Sequence, residues 1–366
     1  MRNTFGNNVS MTVFGESHGD AVGVVIDGLS AGIEVDISFI NKCLDKRRPQ
    51  TLMDTSRQEK DEYKIISGVF NGKTTGAPIT IIIPNKDTKS GDYTQNLGLA
   101  RPSHADYTAH VKYGGYNDYR GGGHFSGRVT AGIVAGGAIL ISALNKLGIK
   151  IGTHIKSVGQ ISDREFSNYE SDIEMLSSTS FPVLDQKAGE MMSSAILDAR
   201  EKCDSVGGIV ETAIVGLPIG LGEPYFDSVE SLLSHALFSL GGIKGVEFGL
   251  GFNFNGTNAS VVNDQFVMEN GKIKTLSNNN GGINGGITNG MEVVFRCAVK
   301  PTPSILREQN TVNYLKGENA SLTIKGRHDP AIIRRICPVI DSISALVICD
   351  LIATNCGLQA LKGTDK

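Results

Sequence analysis

The hydrophobic pattern divides the chain into elements of two periods. Residues 129–147 are almost continuously apolar at helical length, and Gly148 sits where a C′ glycine would stop the helix. Residues 330–352 read as a second long apolar helix, with a kink near Pro338. Asp36–Arg47 reads as an amphipathic helix with Asp36 as N-cap and Ile37, Ile40 and Leu44 on one face. Val229–Leu240 has similar character. Short strands are predicted at Met11–Phe14 and Val22–Ile26, flanking a polar turn, and at Ile79–Ile83 as a buried strand. Gly208–Gly216 and Glu292–Lys300 also read as strands, the second with clean alternation, and Asn270-Gly271 signals a hairpin. Strands and helices do not alternate as βαβ units, which favours an α+β fold. The chain shows no linker and no period of 20–50 residues, so a single domain over 1–366 is expected.

Composition narrows the function. Net charge is −3, so nothing pulls the chain as a whole toward nucleic acid or anionic membrane, and any anion must be gathered by local clusters. Glycine is the outlier, 45 of 366 residues against a usual ~7%, and it concentrates where backbone turns tightly or approaches a ligand. The six cysteines form no C-x-x-C pair and are read as free, mostly buried thiols. No apolar signal region opens the chain, and the longest unbroken apolar runs are too short to span a bilayer, which points to a cytoplasmic protein.

Four segments set reactive side chains beside glycines. Gly15-Glu16-Ser17-His18-Gly19 follows a strand, and a histidine there suits either proton transfer or a hydrogen-bonded turn. Arg101-Pro102-Ser103-His104-Ala105-Asp106 reads as a capped helix start, with Ser103 as N-cap and Asp106 at N3, and also as an anion site holding His104. Arg120 through Arg128 is a glycine run opening the long helix; Ser126 would cap it, and free amides with Arg128 would hold phosphate. Lys325-Gly326-Arg327-His328-Asp329-Pro330 offers Asp329 and Pro330 as an N-cap and N1 pair behind a basic loop. Lys300-Pro301-Thr302-Pro303-Ser304 adds a cation and two hydroxyls at a strand end, and Asn278–Gly290 reads as a ligand loop. Near misses exclude other chemistries: Ser67 stands where a P-loop needs its first glycine, and Gly249-Leu250-Gly251 lacks the third glycine of a dinucleotide fingerprint.

Together these segments resemble the chorismate synthase family. Residues 15–32, 119–138 and 326–341 are similar to its three signatures, and 67–79, 101–108, 204–211, 220–227, 244–252, 278–290 and 300–305 match family segments in order. The resemblance implies a single-domain β-α-β sandwich assembled as a homotetramer. It implies a lyase that eliminates phosphate from 5-enolpyruvylshikimate 3-phosphate, with anti-1,4 geometry, using reduced FMN that undergoes no net redox change. His104 would be the acid near the leaving phosphate, His18 a proton donor toward the flavin, and Asp329 the base. FMN contacts would come from His124, Phe125, Ser126, Gly241, Gly242, Gly285, Lys300, Pro301, Thr302, Pro303, Ser304 and Arg327. Arg47, Arg48 and Arg128 would bind substrate, Arg47 standing at a position also assigned to NADPH, which some members use to reduce their flavin.

This chain departs from the family pattern at His124 (often Arg), Phe125 (often Ser), Ser30 (usually Pro) and Asp341 (usually Glu). The loop after Pro49 reads Gln50-Thr51-Leu52-Met53 where many relatives carry another arginine, for which Arg57 is a candidate substitute. An NADPH-dependent FMN oxidoreductase and a non-catalytic phosphate-ligand binder are the competing readings.

Overall fold

The computed structural model describes residues 3–55, 59–86, 96–324 and 328–363. Arg57 and Arg327 therefore lie outside the described residues. Two five-stranded antiparallel sheets enclose a layer of helices. The first sheet takes β1 (Thr4–Phe5), β2 (Ser10–Gly15), β3 (Ala21–Asp27), β4 (Lys64–Ser67) and, beyond the small β5–β6 hairpin (Val69–Phe70, Lys73–Thr74), β7 (Ile79–Pro84), in the order β1-β2-β3-β7-β4. The second is built from β8 (Lys150–Val158), β9 (Ile161–Ser162), β10 (Gly208–Val215), β11 (Ile243–Phe248) and, after the hairpins β12–β13 (Phe266–Glu269, Lys272–Thr275) and β14–β15 (Ile283–Asn284, Ile287–Thr288), β16 (Val293–Val299). Its order is β11-β16-β10-β8-β9. Among the described residues the helices longer than one turn are α1 (Ile37–Arg47), α2 (Asp106–Lys112), α3 (Thr130–Lys146), α4 (Tyr169–Ser178), α5 (Gln186–Glu201), α6 (Val229–Phe238) and α7 (Ile333–Cys356). The helix α3 packs on β3 and β7, α7 packs on β8 and β10, and α3 and α7 pack on each other, which makes the expected β-α-β sandwich.

Side-chain alternation shows why the layers form. Ile79, Ile81 and Ile83 of β7 are buried while the residues between them are half-exposed, the period-two pattern of a sheet with one face on the core. On α3 thirteen residues from Ala131 to Leu144 are buried, so the helix is apolar all round, as a central helix must be. Close approach of α3 to α7 depends on Gly137, because a Cβ there would stand 2.2 Å from the Ser342 Cβ.

Several expectations need correction. Ile37 is half exposed; α1 buries Ile40, Cys43, Leu44 and Arg47 instead, although Asp36 does cap it through the Phe39 amide. Ser103 does not cap α2, which starts at Asp106 with no side-chain cap; Ser103 holds a left-handed φ of 58°. Asp329 does not cap α7, which begins at Ile333. Four cysteines are buried and free as expected, but Cys203 and Cys356 are exposed. Counting unbroken apolar runs also understated two elements. Gly127–Lys146 and Ile333–Cys356 are long and apolar enough to cross a membrane, yet 83% and 94% of their apolar windows are buried inside the sandwich.

A polar cluster underlies the outer face of the second sheet. His154 is fully buried, with Nδ1 2.9 Å from Asp163 Oδ2 and Nε2 3.0 Å from Glu211 Oε2; Arg296 continues the network to Glu211 and Glu247. Burial disfavours the imidazolium, but the two carboxylates outweigh it and raise the His154 pKa, while Asp163 and Glu211 are lowered. The sign follows. Stability from His154 is fully present below its ordinary value of 6.5 and is lost as pH rises through the raised value. Stability from the carboxylates is present above their ordinary values, and is lost as pH falls through their lowered ones. His154→Gln is therefore expected to destabilise the chain more at pH 6 than at pH 9, measured by denaturant unfolding. A penalty that is equal at both pH values would show that no charged His154 contributes.

Candidate active site

The site grows from the glycine run that leads into α3. Gly121, Gly122 and Gly123 take φ values of 59°, 87° and 54°, a left-handed path that residues with a Cβ rarely follow. The run closes on the turn between β2 and β3. The Ser17 amide donates to the Gly123 carbonyl at 3.1 Å, and Ser17 Oγ donates to the carbonyls of Arg120 and Gly121 at 3.2 and 3.1 Å. Ser17 Oγ also lies 3.0 Å from His18 Nδ1, and His18 is nearly buried at 9% exposure. A Cβ on Gly121 would fall 2.2 Å from His18 Cε1. A Cβ on the next residue, Gly122, would meet His104 at 3.2 Å from Cε1 and 3.4 Å from Nε2. Two histidines distant in sequence thus rest on consecutive glycines.

Around His104 the charges are paired. Arg101 grips Asp106 with two bonds of 2.8 and 2.6 Å, and His104 Nδ1 lies 2.9 Å from Asp106 Oδ1. Lys300 Nζ donates to the Ser103 carbonyl at 2.6 Å, and its amide donates to the Gly242 carbonyl at 2.9 Å, which brings Gly241, Gly242 and the 300–304 segment to this side. His328 stands close enough to feel the charges of Arg101, Asp329 and His104. Burial and then Arg101 hold its pKa down to about 4, so it is neutral at pH 7. Its Nε2 is buried and has no hydrogen-bond partner among the described residues.

Asp329, adjacent to His328, accepts from the Thr55 amide at 2.9 Å and from Arg335 at 2.6 Å. Arg335 in turn donates to the Arg47 carbonyl at 2.8 Å. Arg47 and Arg128, 4% and 7% exposed, share Asp61: Arg47 donates to it at 3.0 Å and Arg128 bonds its other oxygen. Arg128 also pairs with Glu59 at 2.7 Å, and Arg47 holds Thr130 and the Gly127 carbonyl. Asn85 closes the ring. Its oxygen accepts from Arg128 at 2.9 Å, and its amide donates to the carbonyls of Glu16 and Gly19, on either side of Ser17-His18. His18, His104 and Asp329 are therefore joined through one connected set of loops.

Other expected residues fall less centrally. His124 donates from Nδ1 to the Gly15 carbonyl at 2.8 Å, Phe125 is about half exposed, and Ser126 Oγ accepts from the Arg128 amide, capping the turn before α3. Arg48 pairs with Asp45 at 2.7 Å and lines a separate cleft on the far side of Asp61, with Asn41, Lys60 and Tyr63. Gly285 lies in the β14–β15 turn (Ile283–Asn284, Ile287–Thr288), whose Gly286 carbonyl accepts from the Val229 amide at the start of α6. The asparagines of the 278–290 loop serve the backbone, Asn278 holding the Glu292 carbonyl and Asn279 that of Val262. The departures are accommodated. Ser30 Oγ donates to the Leu358 carbonyl, and Asp341 accepts from Thr153 at 2.6 Å with its carboxyl pushed up to about 6 by burial. The loop carrying Met53 is pinned by a buried Arg334–Asp54 pair instead of by an arginine of its own.

Sequence reading missed Asp61, Glu59, Asn85 and Arg335. An isolated Glu or Asp ahead of β4, or an Asn after β7, carries no local signal of its partner, and Arg335 lies six residues beyond Asp329 with nothing in the sequence to pair them.

The family model described as "Chorismate synthase" matches residues 9–353. A chorismate synthase of Methanococcoides burtonii is 45% identical over 349 residues, 95% of each chain. One of Thermococcus kodakarensis is 44% identical, covering 94% of this chain and 96% of the relative. Another, of Lachnoclostridium phytofermentans, is 44% identical over 96% and 95%. The solved structure titled "Crystal Structure of Chorismate Synthase" superposes with a TM-score of 0.76 at 27% identity, covering 98% of this chain and all of that one. A glycine loop with two histidines packed against it, a carboxylate tied to it through paired arginines, and relatives matched over nearly their whole length lead to one assignment: this chain belongs to the chorismate synthase family, the phosphate-eliminating carbon–oxygen lyases of the shikimate pathway.

Proposed function

We propose that the chain releases phosphate from 5-enolpyruvylshikimate 3-phosphate in an anti-1,4 elimination, with His104 as acid beside the leaving phosphate. His18 is the proton donor on the flavin side and Asp329 the base that accepts the substrate proton. The observation that carries this reading is the seating of His18 and His104 against consecutive glycines of one loop. Without Cβ atoms at Gly121 and Gly122 the loop lets both imidazoles pack against its backbone, which sets the two side by side. Asp329 receives two hydrogen bonds, leaving two of the four lone-pair positions of its carboxylate for a proton.

The residues present suit FMN. Thr302 Oγ1 is buried without a partner among the described residues, Ser304 is buried, and a Cβ at Gly241 would meet no atom within 4 Å. These groups, with Lys300, Pro301, Pro303, Gly242, His124, Phe125 and Ser126, would hold it; Gly285 and Arg327 are included by family resemblance. When bound, reduced FMN would supply transient electron density to the substrate with no net redox change. Arg47 and Arg128 form the floor of the site, their charges balanced by Asp61 and Glu59, and Arg48, assigned to substrate with them by resemblance, lines the neighbouring cleft. Because Asp61 already engages Arg47 and Arg128, direct substrate contact from either requires the 59–61 segment to shift. Resemblance to the family further supports a single domain over 1–366, a homotetramer, a cytoplasmic location, a small-molecule substrate with no nucleic-acid or membrane partner, and NADPH as a possible reductant.

The competing class is an NADPH-dependent flavin oxidoreductase, whose expected handle, Arg47, is enclosed by Asp61, Thr130 and Gly127. An anaerobic assay with dithionite-reduced FMN and the enolpyruvyl substrate, without NADPH, separates the two. Chorismate formation is expected. NADPH consumption on later addition, with no chorismate at any stage, would overturn the assignment.

A further inference from the structure

We infer that Asp106 and Arg101 form a positioning pair that holds the His104 ring in one orientation through every protonation state, so that proton exchange occurs only at Nε2. The inference rests on the acid role proposed for His104. Its basis is the double engagement of one nitrogen: Nδ1 lies 2.9 Å from Asp106 Oδ1 and 3.1 Å from an Arg101 guanidinium nitrogen. A carboxylate can only accept and a guanidinium can only donate. When Nδ1 carries its proton, in the imidazolium and in one neutral tautomer, it bonds Asp106. When Nδ1 is bare, in the other tautomer, Arg101 donates to it. No protonation state leaves Nδ1 without a partner, so none gives the ring a reason to turn.

The opposite edge faces the glycine run, since Cε1 and Nε2 are the atoms nearest a Cβ built on Gly122. In the acid step the Nε2–H bond breaks and the proton passes to a phosphate oxygen. The nitrogen keeps the electron pair, and the neutral imidazole retains its Nδ1–H on Asp106. Reprotonation from solvent at Nε2 restores the starting state. Arg101 also sets the charge of its partner. Its two bonds, with that from His104, outweigh burial and keep Asp106 ionised well below the usual carboxylate range. Among the described residues, the charged and titratable groups facing the dyad from packed elements are His328, Tyr119, Tyr314 of the segment after β17 (Gln309–Asn313), and Lys300 on the Ser103 carbonyl.

Asp106 also accepts from the Arg101 amide at 2.9 Å, so a purely structural role must be separated from positioning. The test is a double-mutant cycle on the full chain with reduced FMN and the enolpyruvyl substrate. Asp106→Asn keeps the shape and is expected to lower kcat tenfold or more, the scale for losing a histidine's outer partner, with KM within about threefold. His104→Ala and His104→Ala/Asp106→Asn should turn over at the same rate. Arg101→Lys, which keeps the charge without the bidentate grip, should fall between wild type and Asp106→Asn. Circular dichroism melts and flavin titration show that each variant is folded. Two results overturn the inference: Asp106→Asn within threefold of wild type, or an Asp106→Asn loss of the same size in the His104→Ala background. Absence of turnover in the wild type instead refutes the functional assignment, and the inference with it.

Discussion

Replacing His104 with alanine is expected to lower kcat by roughly 10²–10⁴, the usual contribution of a positioned general acid. The structure gives three reasons for a loss of that size at this histidine. Its ring is fixed at Nδ1 by Asp106 and Arg101, its Nε2 edge faces the glycine run, and Lys300 reaches the carbonyl of the neighbouring Ser103. A phosphate leaving beside this loop meets amides, a cation and a proton donor together, so the alanine variant retains binding while losing the proton. Steady-state kinetics with reduced FMN should show the loss in kcat more than in KM. A loss below threefold would remove His104 from the mechanism.

The second large effect lies below the site. Asp61→Ala is expected to destabilise the chain by about 3–5 kcal/mol, the cost of breaking a buried ion pair and leaving charge uncompensated. Asp61 is 1% exposed at its side chain and is the carboxylate shared by Arg47 and Arg128, both nearly buried. Burial already pushes the Arg47 pKa down to about 10 despite Asp61, so this guanidinium is still charged at pH 7 and cannot escape the penalty by losing its proton. Glu59 compensates Arg128 in part, which is why the loss should not exceed the upper end. Denaturant unfolding measures it. A change under 1 kcal/mol would mean that the two arginines find other partners, and that the floor of the site is rearrangeable rather than fixed.

Periodicity located the main strands and helices of the sandwich because burial on one face or all faces leaves a trace that local sequence carries. Caps were legible only where the side chain had no stronger partner. Asp36, with a serine two residues on and the Phe39 amide in reach, caps α1 as expected. Asp329, read as a cap, and Asp106, read as the N3 partner of a Ser103 cap, instead send their carboxylates to Arg335 with Thr55 and to Arg101 with His104. An arginine outcompetes a helix amide for a buried carboxylate, and no local window shows that arginine arriving. The same reasoning covers Asn85, whose bonds to Arg128, Glu16 and Gly19 exist only after β7 has paired with β3. The glycine run was legible as a site because three consecutive glycines have few structural uses. That it seats two histidines on neighbouring residues became visible only in three dimensions.

The central claim is that His18, His104 and Asp329 serve one cofactor and one reactant bound together. Anaerobic rapid mixing of the chain with reduced FMN and the enolpyruvyl substrate, following flavin absorbance and phosphate release at once, tests it most directly. The account predicts one phosphate released per substrate with the flavin fully reduced again at the end, and much slower release in the His18→Ala, His104→Ala and Asp329→Ala variants alike. Phosphate release at wild-type rate in any of the three, or flavin left oxidised in proportion to turnover, would contradict it.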